Sequence, residues 1–250
     1  MSKKDDYRQK LKSLQNWEDY LLENCNLPGP RGNIELAQAV ADEGTAELFE
    51  RYRAYHADVA PTNSPYEFLA FCGVLGLGRL LAEGQTGLLP TLRRCASDPR
   101  WRIREAVAMA LQCFGDANMP ALIQEMKSWS MGAPLEQRAA AAALCEPRLL
   151  AGAEHARAVL HILDGITTSM LSFPERNSEN FRILRQGLGY CWSVAVVASP
   201  AEGRALIEKW SVNPDAQVRW IMHENLKKNR LMRMDPGWVK ICQERVAGKP

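Results

Sequence analysis

No stretch of this 250-residue chain alternates apolar and polar residues for long, so β-structure is expected to be nearly absent. Cysteines number seven, an odd count, and no Cys-x-x-Cys pair occurs among them. Their wide scatter excludes a disulfide framework and points to reduced thiols buried among apolar neighbours. His56, His155, His161 and His223 form no His-Glu-x-x-His or Cys/His spacing, so no metal site is expected. A Gly-x-Ser-x-Gly elbow is missing, and Gly73-x-x-Gly76-x-Gly78 lies inside an apolar helical pattern rather than after a strand. No catalytic set or cofactor is therefore read from the chain. The net charge of +2 is too small for bulk attraction to a polyanion. Met1 to Asp6 leads into a polar amphipathic helix and not into a signal-peptide core. The apolar run from Cys191 to Ala198, broken by Ser193, falls far short of the roughly 20 residues that span a bilayer. A cytoplasmic location without membrane association is the expectation.

Helix signals are abundant. Tyr7, Leu11, Leu14, Glu18 and Leu21 share one face and predict a single capping helix, followed by a loop through Pro28-Gly29-Pro30 and Gly32. Helices are expected near 34–42 and 45–56, and Ser64-Pro65-x-Glu67 predicts a capped start for another reaching about Ala82. The three glycines of that helix predict close approach of its neighbours. Further helices are expected over 87–96, 99–114, 119–129, 134–145, 154–171, 178–197, 201–210, 214–229 and 236–246. The organisation read from this is one domain over 1–250: a cap and loop at 1–32, an atypical first repeat at 33–63, and repeats over 64–250.

Three helix starts read alike. Ser97-Asp98-Pro99-Arg100-Trp101-Arg102-Ile103-Arg104, Val212-Asn213-Pro214-Asp215-Ala216-Gln217-Val218-Arg219 and the shorter Ala133-Pro134-Leu135-Glu136-Gln137-Arg138 each place Arg one turn after a helix-starting Pro. From Arg104 to Arg138 is 34 residues, and from Arg185 to Arg219 is again 34. Recurrence of one helical unit is the mark of a repeat array.

The pattern resembles HEAT repeats, in which an Asp ends the turn within a repeat and an Arg follows six residues later. Asp98 and Arg104 keep that spacing, Asn213 and Arg219 keep it with Asn for Asp, and Arg138 lacks the acid. The resemblance implies an all-α fold, a right-handed α-solenoid of antiparallel helix pairs. It also implies a structural ladder through Asp98, Arg104, Arg138, Asn213 and Arg219, since an Arg fork suits turn carbonyls and carboxylates.

In such arrays the second helix of each pair lines the concave face. That placement makes Trp101, Arg102, Glu105, Arg182, Arg185, Tyr190, Trp220, His223, Lys227 and Arg230 the candidate partner-binding residues, Trp and Arg being favoured interface anchors. The expected function is a non-enzymatic interaction module that binds a protein or peptide on this face. The alternative is a DNA-binding protein similar to the HEAT-like alkylpurine DNA glycosylases, through the C-terminal basic stripe of Arg219, His223, Lys227 and Arg230. Those enzymes carry a catalytic aspartate flanked by tryptophans, for which the nearest acids here are Glu105 and Glu224. A phycobilin-lyase-type repeat protein is a third reading, with no pigment-specific residue behind it.

Overall fold

The computed structural model describes residues 2–248, in which every regular element is helical: fifteen α-helices, two short 3₁₀ turns and no strand. The chain divides into two compact units, Met1–Asn118 and Met119–Pro250. Met1, Lys249 and Pro250, which belong to the expected cap and last repeat, lie outside the described residues.

The first unit holds α1 (Lys3–Lys12), α2 (Glu18–Asn24), α3 (Ile34–Glu43), α4 (Ala46–Arg53), α5 (Pro65–Ala82), α6 (Leu89–Cys95) and α7 (Trp101–Ala117). The single capping helix expected here is two. The chain stops at Ser13 and restarts at Glu18, and the Trp17 indole N–H turns back to the Leu11 carbonyl at 2.9 Å. The centre of the unit is α5, packed against α2, α3, α4, α6 and α7. The Ser64 hydroxyl accepts from the Glu67 N–H, and Pro65 sits at the first turn where its missing N–H costs nothing. By length and mean hydropathy, 1.3, α5 could cross a membrane, but 78% of it is buried against its neighbours. Close approach is what its glycines supply. A Cβ at Gly73 would lie 2.5 Å from the Arg53 nitrogen of α4, and one at Gly78 would lie 2.6 Å from the Ala110 Cα of α7.

The second unit holds α8 (Met119–Trp129), α9 (Pro134–Leu144), α10 (Ala153–Met170), α11 (Glu179–Ala198), α12 (Pro200–Ser211), α13 (Ala216–Leu226), α14 (Asn229–Met234) and α15 (Pro236–Val246). Sequence neighbours α8 and α9, α10 and α11, and α12 and α13 pack together. In addition α9, α11 and α13 pack in succession, as do α8, α10 and α12. Fully buried Trp129 and Trp192 fill this core, each with its indole N–H bonded, to Glu125 at 2.8 Å and Thr167 at 3.2 Å. The helix expected over 214–229 ends early, at Leu226, with Lys227 as its C-cap. Just before that end, the buried Asn225 amide donates to the Leu188 and Ile221 carbonyls and accepts from the Ser193 N–H, all at 2.8 Å. It ties α13 to α11 just before the chain turns.

Candidate functional site

In the first unit a pocket of about 130 Å³ opens between the 25–33 loop, α5 and α7. Leu27, Pro30, Ile34, Phe68 and Phe71 make its walls apolar, and Trp101, Arg102, Glu105 and Arg31 complete its lining. Trp101 opens α7 and stands 47% exposed at the pocket. The Arg102 guanidinium lies 4.4 Å from the Trp101 ring centroid.

Arg102 is itself buried and acts as the clamp behind this wall. Its Nη1 donates to Glu67 Oε2 at 3.1 Å, and its Nη2 donates to the Gly29 carbonyl at 2.7 Å and to Asn63 Oδ1 at 3.2 Å. Gly29 N–H donates in turn to Asn63 Oδ1 at 3.0 Å, and Asn63 holds φ of 71°, a left-handed conformation that Asn tolerates. Two loops and two helices thus meet at one guanidinium. Arg102 Nε and Glu67 Oε1 are buried with no hydrogen-bond partner among the described residues. Glu67 was legible only as the third residue of a helix start. Its carboxylate takes the Asn63 N–H, one residue before the N-cap, at 2.7 Å, and it turns inward to neutralise Arg102.

The Asp98 turn is held by Arg100 as well as by the expected Arg104. The Asp98 carboxylate takes the Arg100 backbone N–H at 2.8 Å and the Arg100 side chain at 2.9 and 2.8 Å. Arg100 then reaches the Tyr55 and Ala60 carbonyls at 2.9 and 3.0 Å. Arg104 donates to the Asp98 and Pro99 carbonyls of its own turn, at 2.7 and 2.9 Å. Arg100 thus bridges segments, and the Arg-six-after-Asp pattern passes over it. Its signal was the short Asp-Pro-Arg spacing, which lets one side chain fold back on the other.

In the second unit Arg138 lies with its stem against Gly187 of α11. Asn213 takes the Asp215 N–H at 2.9 Å, and Arg219 is exposed with no hydrogen bond or ion pair among the described residues. The fold forms two cation–aromatic pairs on α11, α13 and α14, Arg185 with Trp220 and Arg230 with Tyr190. Arg185 sits 4.3 Å from the Trp220 ring centroid and donates to Gln217 Oε1 at 2.5 Å. Arg230 sits 4.8 Å from the Tyr190 ring centroid and donates to its hydroxyl at 2.6 Å. Arg182 pairs with Glu179, and Lys227 with Glu224 at 2.6 Å. His223 and Arg219 line a shallow depression with Ala216, Trp220, Gln243, Val246 and Ala247. The expected stripe of Arg219, His223, Lys227 and Arg230 is not one helix face, because the break after Leu226 puts Arg230 on α14.

The seven tryptophans sort the surface. Trp17, Trp129, Trp192, Trp210 and Trp238 spend their indole N–H groups on partners within the fold. Trp101 and Trp220 have no such partner among the described residues, and each lies beside an arginine. An amphipathic ring with an unspent donor is what an anchor offers a ligand.

Burial pushes the Cys72 and Cys145 thiols well above their ordinary range, so neither is a nucleophile at neutral pH. No three His, Cys, Asp or Glu side chains converge as metal ligands among the described residues. No protein-family model matches the chain, and no curated protein matches its sequence significantly.

Proposed function

We propose that the chain is a helical-repeat interaction module of the HEAT type, whose partner is a protein segment anchored in the pocket beside Trp101. The repeat reading, with its right-handed solenoid of antiparallel pairs, is supported by the recurrent Pro-to-Arg helix starts. The alternating packing of α9, α11, α13 and of α8, α10, α12 in the second unit favours it too. The observation that carries the function is the apolar pocket walled by Phe68, Phe71 and Ile34 with a half-exposed tryptophan at its side, its indole N–H unspent. Interfaces concentrate their energy in such aromatic anchors and the apolar pockets beside them. The buried thiols fit a reducing compartment.

The test is selection of a random-peptide phage library on the full chain, with Trp101→Ala as parallel bait. Peptides sharing one large apolar residue should be enriched on the native chain, and a selected peptide should bind the variant roughly thirtyfold more weakly, the cost of a hot-spot truncation. Trp101 is exposed enough for the variant to keep its fold, which a thermal melt checks. No enrichment, or equal binding to both baits, contradicts the reading.

A second reading, nucleic-acid binding, is favoured by the α11–α13–α14 surface. There Arg185 and Arg230 lie on aromatic rings, and among the described residues neither they nor Arg219 have a carboxylate partner. Stacking on aromatic and guanidinium planes with phosphate contacts is how single strands are held. A fluorescent single-stranded oligonucleotide that binds steeply less well with added salt, and not at all to Arg185→Ala/Arg230→Ala, would support it. Absence of binding at low salt removes it.

A further inference from the structure

We infer that the segment seated in the Trp101 pocket carries an Asp or Glu side chain next to its apolar anchor, and that Arg31 receives that carboxylate. This rests on the pocket being a peptide site, as proposed above.

The first unit contains ten arginines. Nearly all are engaged within the fold. Arg8 meets Glu43, Arg53 meets Glu50, Arg79 meets the Ala41 and Gly44 carbonyls, Arg100 meets Asp98 and Arg102 meets Glu67. Arg94 donates to Thr91, Arg51 lies over the Tyr52 ring, Arg104 holds its own turn and Arg93 also has a partner. Arg31 alone has no polar or ring partner among the described residues, and it lines the apolar pocket.

Its position is fixed by the loop that carries it. Gly29 is held by Asn63 and Arg102, and the Asn33 N–H donates to the Cys25 carbonyl at 3.0 Å. The Asn33 side chain donates to Tyr7 Oη and the Asn24 carbonyl at 2.9 Å and caps α3. The backbone on both sides of Arg31 is therefore ordered before any ligand arrives, which lowers the entropic cost of binding.

Charge complementarity decides the chemistry. The Arg102 charge is already balanced by Glu67, and Glu105, the one carboxylate of the wall, already has a partner within the chain. Arg102 Nε is sealed from solvent, so the exposed donors of the lining without a partner among the described residues are the Arg31 guanidinium and the Trp101 indole N–H. An occupant that buries them without acceptors would pay for two unmade hydrogen bonds. A peptide supplies a backbone carbonyl for the indole, and an acidic side chain gives the guanidinium a bidentate partner.

The experiment reads the sequences of peptides selected on the native chain and on Arg31→Glu, then measures a synthetic consensus peptide amidated at its C-terminus. Native bait should enrich Asp or Glu beside the apolar anchor, and Arg31→Glu should exchange that preference for Lys or Arg. Changing the acidic residue to its amide should weaken the consensus peptide roughly tenfold on native chain, the value of one charge-assisted hydrogen bond, and leave its binding to Arg31→Ala unchanged. An apolar anchor enriched with no acidic neighbour, or an acidic preference indifferent to Arg31→Glu, overturns this inference while the peptide-binding reading stands. Binding lost on amidation of the terminus also overturns it, since the carboxylate would then be the chain end. No enrichment on any bait removes both.

Discussion

Arg102 and Glu67 meet at 3.1 Å in the interior of the first unit, with side chains 6% and 0% exposed. They come from the starts of α7 and α5, and the same guanidinium holds both loops that frame the pocket. Removing one member leaves the other charge buried without a counter-ion. Glu67→Gln is expected to cost about 3–5 kcal/mol in urea unfolding, whereas the apolar pair Glu67→Leu/Arg102→Met should recover much of that loss. A double variant as unstable as the single one would show that the bonds to Gly29 and Asn63, not the charge pair, carry the energy.

Asn225 offers a second test, in the other unit. Its amide satisfies the Ser193 N–H and the Leu188 carbonyl inside α11. Asn225→Leu removes both bonds from the buried α11–α13 contact, so a loss on the order of 1–3 kcal/mol is expected, about 0.5–1.5 kcal/mol for each bond. A chemical-denaturation midpoint within error of the native one would show that α11 closes its own ladder when the amide is gone.

Alkaline titration probes the α4–α5 packing. Burial pushes the Tyr52 phenol from its ordinary value near 10 up to about 12. Above pH 10 the unfolded chain releases this proton while the folded chain keeps it, so the unfolded state binds fewer protons and stability falls as pH rises. The Tyr52 contribution is complete below about pH 10 and is lost progressively as the pH approaches 12. Tyr52→Phe should flatten that limb of a stability-against-pH curve. An unchanged slope would assign the alkaline loss to other groups.

Much of the helical layout was legible because it is local. Met119–Trp129 and Pro236–Val246 have the ends that their Pro and apolar periodicity predict. The glycines of α5 mark close approach because a Cβ has nowhere to go at Gly73 or Gly78. Two helix breaks were not legible. The apolar face from Tyr7 to Leu21 continues across Ser13 to Trp17, and the return of the Trp17 indole to the Leu11 carbonyl, which accompanies the interruption, leaves no mark in that periodicity. The break after Leu226 sits beside a buried Asn that bonds a helix over 30 residues away in sequence, a contact no periodicity reports.

At the candidate site Trp101 was picked out by its residue type and its place at the start of a second repeat helix. Arg102 was expected to face a partner, and the structure buries it as a clamp, because its neighbours in space come from Gly29, Asn63 and Glu67. Leu27, Phe68 and Phe71 could not be told from ordinary core residues, since a pocket wall and a core contact have the same composition. Arg31 carries no sequence signal of its own, and it stands out only because the fold engages the other nine arginines of its unit.

The most direct measurement follows the indole N–H resonances of the ¹⁵N-labelled full chain while a selected peptide is added. Five of the seven indoles are bonded within the fold, so the Trp101 and Trp220 signals are the two free to report a ligand. Occupation of the pocket should shift the Trp101 signal and leave Trp220 in place. A Trp220 signal that moves while Trp101 stays fixed would contradict the Trp101 pocket as the site of partner binding.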